Sequence, residues 1–119
     1  MEGVAVSEIQ GIARFRFHEG LIGEFKRLSE ECMEIVRAKD TGTLQYEIYF
    51  NDDQSEAIVL ERYRDSEALV EHLANVGHLM EAILATASVS GEVLGEANAE
   101  LRAMLAGSEV RLFAPFQSM

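Results

Sequence analysis

The chain has 119 residues, 48% hydrophobic and 26% charged, with a formal net charge of −11. That size and mix point to one domain, residues 1–119, with enough chain to bury a real core. Its acidity repels phosphate backbones and anionic lipid, so nucleic acid and membrane surfaces are excluded as expected partners.

The single cysteine, Cys32, rules out an internal disulfide framework and suits a reducing compartment. It falls on the apolar side of a predicted helix and reads as a small buried hydrophobe. No charged start followed by an apolar signal region appears, and no apolar run reaches membrane-spanning length, so a cytoplasmic location is expected.

In chain order, Met1–Ser7 is small and apolar without a period. Glu8–Phe17 predicts a strand, with Ala13, Phe15 and Phe17 on one face and Ile12, Arg14 and Arg16 on the other. His18-Glu19-Gly20 is a break. Leu21 to about Ala38 predicts an amphipathic helix through Leu21, Phe25, Leu28, Cys32 and Ile35. Asp40-Thr41-Gly42 ends it. Thr43–Asn51 alternates with period two, Asp52–Ser55 is a polar hairpin loop, and Ala57–Tyr63 is a second β-rich run.

Asp65 stands at an N-cap position before the helix Ser66–Val76, whose inward stripe is Leu69, His72, Leu73 and Val76. Gly77 predicts a kink or restart ahead of a second stripe from Leu79 to Ala87. Ser88–Leu94 predicts a short strand, Ala97–Leu105 a short helix stopped at Gly107, and Val110–Phe116 a last strand with Pro115 near its end.

A loop at 52–55 pairs Phe50 with Ala57, Ile48 with Val59, Tyr46 with Glu61 and Leu44 with Tyr63. Glu61 and Tyr63 then share the apolar face of Leu44, Tyr46, Ile48 and Phe50; a one-residue slip reverses the whole second strand. The element order predicts an α+β fold, a ferredoxin-like antiparallel sheet with helices on one face. The other face would carry Ile12, Tyr49, Ile58 and Leu60 flanked by Arg14, Arg16, Glu47 and Arg62. A patch of that kind marks an interface, so a homodimer closing sheet on sheet is expected.

His18-Glu19-Gly20-Leu21, Gly42–Glu47, Leu60–Asp65 and the spacing Ala68-Leu69…His72…Asn75…His78 resemble the antibiotic biosynthesis monooxygenase superfamily. The resemblance implies the dimeric α/β barrel and a small apolar pocket between sheet and helices. It includes cofactor-independent oxygenases of aromatic polyketide-type quinols, haem-degrading enzymes and processors of small signalling metabolites. Tyr63 stands where members often carry a Trp, a residue this chain lacks; that disfavours haem chemistry.

Glu61, inward on the sheet, would be desolvated and raised toward a general-base range, or else would be a structural partner for a Tyr or an Arg. Tyr63 and Tyr46 can each donate to a developing oxyanion, or pack with the hydroxyl satisfied locally. His72 points at the sheet as a proton shuttle or a satisfied core residue. His78 sits at the predicted restart, as a cap or at a pocket mouth. Phe15, Phe25 and Met80 read as pocket lining or as core. His72 and His78 lie six apart rather than four, so no metal site is expected.

The leading expectation is an enzyme that needs no cofactor. Glu61 or His72 takes a proton from a small aromatic or enolisable carbonyl compound, Tyr63 steadies the oxyanion, and Tyr46, His78, Phe15, Phe25 and Met80 hold the substrate. The alternative is a non-catalytic dimer that binds a small apolar ligand. Haem binding is a third.

Overall fold

The computed structural model describes residues 7–119, so the reading of the first six residues lies outside it. Among the described residues the order is β1 (Ile9–Phe17), α1 (Ile22–Lys39), β2 (Thr43–Phe50), β3 (Glu56–Tyr63), α2 (Ser66–Leu84), β4 (Ala87–Leu94), α3 (Ala99–Leu105) and β5 (Val110–Phe113). One five-stranded sheet forms in the order β2-β3-β1-β4-β5.

The fold is α+β and ferredoxin-like, as expected, with one correction. The sheet is mixed rather than wholly antiparallel, because β5 runs parallel to β4. The chain reaches β5 through α3, and a helical crossover returns a strand in the same direction as the one it left.

Local chemistry explains the helices. In α1 the buried residues Phe25, Leu28, Cys32 and Val36 recur in steps of three and four. Asp65 caps α2 by accepting from the Ala68 N–H at 2.9 Å, and Asn98 caps α3 by accepting from Leu101 N–H at 2.9 Å. The predicted break at Gly77 is absent: α2 is one helix from Ser66 to Leu84. Gly77 is exposed and nothing crowds it. A mid-helix glycine costs only about 1 kcal/mol, which burial of Val76, Leu79 and Ile83 on either side offsets. No helix among the described residues is long and apolar enough to cross a membrane.

The hairpin register holds for Tyr46 opposite Glu61, Ile48 opposite Val59 and Phe50 opposite Ala57. It fails at the strand's start. An irregularity between Thr43 and Gln45 puts Thr43 opposite Tyr63 and leaves Leu44 47% exposed. The cause is local: Thr43 Oγ1 donates to Asp40 at 2.7 Å, which turns Thr43 inward and displaces Leu44.

Two apolar clusters join helices to sheet. Phe15, Phe25, Leu28, Val59, Val76, Leu79 and Ile83 belong to the larger. Ile9, Tyr63, Leu69, Val93 and Leu101 form the second, which brings α3 into the layer. At Gly91, opposite Ala13, the strands approach so closely that an added Cβ would lie 2.6 Å from the Ile12 carbonyl oxygen. Gly91→Ala should therefore destabilise the protein by about 1–3 kcal/mol, read as a lower urea midpoint. An unchanged midpoint would mean that the strand has room to move.

Candidate active site

Three strands place Glu61. It lies opposite Tyr46 on β2 and Gly11 on β1, and directly opposed residues share a face. Tyr63, two residues on, shares that face too, and its hydroxyl donates to Glu61 Oε1 at 2.5 Å. Gly11 lies directly against it: an added Cβ there would meet Oε1 at 3.4 Å, an ordinary contact.

Behind this pair stands His72, on the inward stripe of α2. Its ring packs at a tilt against Tyr46 and Tyr63, with centroids 5.2 and 5.4 Å away. Its Nδ1 is 2.8 Å from Asp40 Oδ2. Asn75, three residues further along the helix, donates to Asp40 Oδ1 at 2.8 Å. Both members of the Asp40–His72 pair are enclosed, with side chains 1% and 4% exposed.

The two carboxylates respond oppositely to burial. Burial pushes Asp40 up, but hydrogen bonds from Asn75, Thr43 and His72 outweigh it and hold the carboxyl below its usual range. Burial also pushes Glu61 up, and here the Tyr63 hydroxyl and the nearby His72 offset it only in part, while the Asp40 charge adds to the rise. Burial, followed by the Glu61 charge, raises Tyr46 and Tyr63, so both remain neutral phenols. Burial likewise raises the Cys32 thiol, which lies 3.4 Å from the Tyr46 hydroxyl. Cys32 is a poor nucleophile there.

A cavity of about 420 Å³ opens beside Glu61. Its floor is the sheet at Gly11, Ala13 and Gly91, α2 contributes Leu69, Leu73 and Leu84, and the α3–β5 connection closes the far side. Of the eight residues singled out from sequence, Glu61 alone lines it. Tyr63 is fully buried behind Glu61, His72 is 3% exposed and held by Asp40, and Tyr46 completes the cluster. Phe15 and Phe25 are core residues, their rings 5.0 Å apart, and Met80 packs on the same core, so all three lie away from the cavity. His78 is exposed on α2. Among the described residues no group of three or more His, Cys, Asp and Glu is arranged to hold a metal ion.

Asp40 was missed. A signal existed, because a helix C-terminus disfavours a negative charge, so an acid there needs donors from elsewhere. Nothing in the sequence says which.

Residues 11–81 match the model of the antibiotic biosynthesis monooxygenase family. The chain belongs to that family. Among solved structures of similar fold, MupZ from Pseudomonas fluorescens is 26% identical with a TM-score of 0.82, over 95% of this chain and 93% of that one. Rv0793 from Mycobacterium tuberculosis is 26% identical with a TM-score of 0.67, over 77% and 97%. SnoaB, a cofactor-independent oxygenase from Streptomyces nogalater, is 16% identical with a TM-score of 0.66, over 78% and 96%, and shows likeness of fold alone. No curated protein matches the chain.

Opposite shifts predict opposite mutants. Asp40 is lowered in the folded state, so its stabilisation is complete above the unfolded carboxyl value and is lost as pH falls through the folded one. Glu61 is raised, so stability declines as pH rises from its ordinary value of 4.5 through the folded one. Asp40→Asn should cost about 1–3 kcal/mol at pH 7. Glu61→Gln should be neutral or stabilising at pH 7 and lose that advantage near pH 4. Urea unfolding at the two pH values checks this; equal losses for both variants at both would refute it.

Proposed function

We propose that this member of the monooxygenase family is a cofactor-independent monooxygenase, or a related isomerase. Its substrate would be a small aromatic, quinol-type or enolisable carbonyl compound. The observation that carries the reading is the Glu61 carboxyl on the wall of a largely apolar cavity, steadied by a single phenol. Desolvation makes such a carboxylate a stronger base than one in water, and a hydrophobic ligand of modest size would displace the remaining water.

Glu61 takes a C–H proton and leaves the electron pair on a stabilised carbanion. The carbanion gives one electron to dioxygen, and the resulting radical pair combines to form a C–O bond. The peroxide takes a proton, and its O–O bond then breaks as the outer hydroxyl and the second C–H hydrogen leave together as water. A methylene and dioxygen thus become a carbonyl and water. The substrate supplies all four electrons that dioxygen takes up, so no other reductant enters. If turnover stops at the carbanion, reprotonation elsewhere is isomerisation. Tyr63 acts through Glu61, steadying its carboxyl, and the Asp40-held His72 packs behind it against the rings of Tyr46 and Tyr63.

The sheet's open face supports a homodimer. Tyr49 and Ile58, paired across β2 and β3, are 52% and 41% exposed, beside Leu60 and Ile12, paired across β3 and β1. The strand alternation gives this face four arginines (Arg14, Arg16, Arg62, Arg111) against three glutamates (Glu47, Glu56, Glu92). Two copies of a chain of net charge −11 can therefore meet there without strong repulsion.

Glu61→Gln should cut dioxygen consumption across a quinol panel by about 10²–10⁴-fold while ligand binding persists. Tight retention of an apolar ligand by the wild-type protein, with no dioxygen uptake and no product, would replace this reading with the ligand-binding one. Light scattering at micromolar concentration should give twice the chain mass, and Ile58→Glu should lower it to one.

A further inference from the structure

Glu61, Leu69 and Leu73 come from the segment that matches the family model, but most residues lining the cavity lie beyond residue 81. The far wall is the turn between α3 and β5, where Leu105, Gly107, Ser108, Glu109 and Val110 face the same space. This wall is built firmly. Gly107 takes a positive φ of 80°, a conformation that favours glycine. The Ser108 N–H and hydroxyl donate to the Leu105 carbonyl at 3.1 and 2.7 Å, and the Val110 N–H donates to the Ser108 hydroxyl at 3.1 Å. Leu105 and Val110 pack against the second core cluster.

Charge within the cavity is one-signed. Its ionisable lining residues are Glu61, Glu109 and Glu92, with no lysine, arginine or histidine among them, and strand alternation turns the Glu92 side chain to the open face of the sheet. Glu92 pairs with Arg14. Glu61 stands inside and Glu109 is exposed at the rim. A ligand carboxylate or phosphate would face two acids and no counter-ion in a desolvated space, which is costly. An uncharged ligand meets apolar walls, and a cationic one is drawn by Glu109.

We infer that the α3–β5 turn is the specificity wall of the Glu61 cavity, and that it admits uncharged or cationic aromatic compounds and rejects anionic ones. This rests on the reading of that cavity as the substrate site. It requires binding only, not turnover.

Three probes of matched size test it by equilibrium dialysis: 1-naphthalenemethanol, 1-naphthylmethylamine and 1-naphthoate. The wild-type protein should bind the alcohol and the amine at least about tenfold more tightly than the carboxylate. Glu109→Arg, at an exposed position, should strengthen naphthoate and weaken the amine by about threefold to tenfold each. Leu105→Phe, which fills the cavity, should weaken all three. Equal affinity for naphthoate, binding of none of the probes, or Glu109→Arg leaving their ratios unchanged would each overturn the inference. The expected selectivity alongside a quinol panel that consumes no dioxygen would sink the oxygenase reading and leave the wall assignment standing.

Discussion

One hydrogen bond anchors the site: the Tyr63 hydroxyl to the Glu61 carboxyl at 2.5 Å. It joins residues two apart on one strand, so it exists only while β3 keeps its inward face. That face is fixed by the pairing of Glu61 with Tyr46 on one side and Gly11 on the other. Slipping β3 by one residue would send Glu61 to the open face and bring Arg62 inward. Burial of Ala57, Val59 and Tyr63 on the helix side opposes such a slip. The position of Glu61 is thus secured by the same apolar contacts that hold the sheet to its helices.

Donor count separates the two enclosed carboxylates. Asp40 has donors on both oxygens from Thr43, Asn75 and His72, and three charge-assisted hydrogen bonds outweigh the cost of leaving water. Glu61 has one side-chain donor, which does not. The first therefore orients a histidine and ties the end of α1 to β2 and α2, whereas the second keeps an appetite for a proton. Two acids in one cluster with affinities driven apart is a recurrent arrangement for acid–base work.

The sheet serves a different purpose on each side. Toward the helices, Gly11, Ala13 and Gly91 leave a floor nearly free of side chains, so the cavity owes its depth to what those strands lack. Away from them, arginines and glutamates alternate with Ile12, Tyr49, Ile58 and Leu60, close to neutral in an acidic chain. Strand periodicity lets one stretch of sequence do both.

Much of this was legible in the sequence because it is local. Alternation over Thr43–Phe50 and Glu56–Tyr63, stripes at three and four in α1 and α2, and the Asp65 cap depend on neighbours a few residues away. The inward placement of Glu61 follows from the hairpin loop that sets its register with Tyr46 and is completed by Gly11 across the sheet. What only the tertiary structure decided is long-range. Asp40 and His72 are 32 positions apart, Phe15 and Phe25 turned to the core rather than a pocket, and β5 closed the cavity from the far end of the chain. Gly77 shows the same limit, since its helical cost is intrinsic but the burial that overrides it is not. Periodicity assigns a residue to a face; which residues meet across that face depends on the packing of elements whose separation no local pattern encodes.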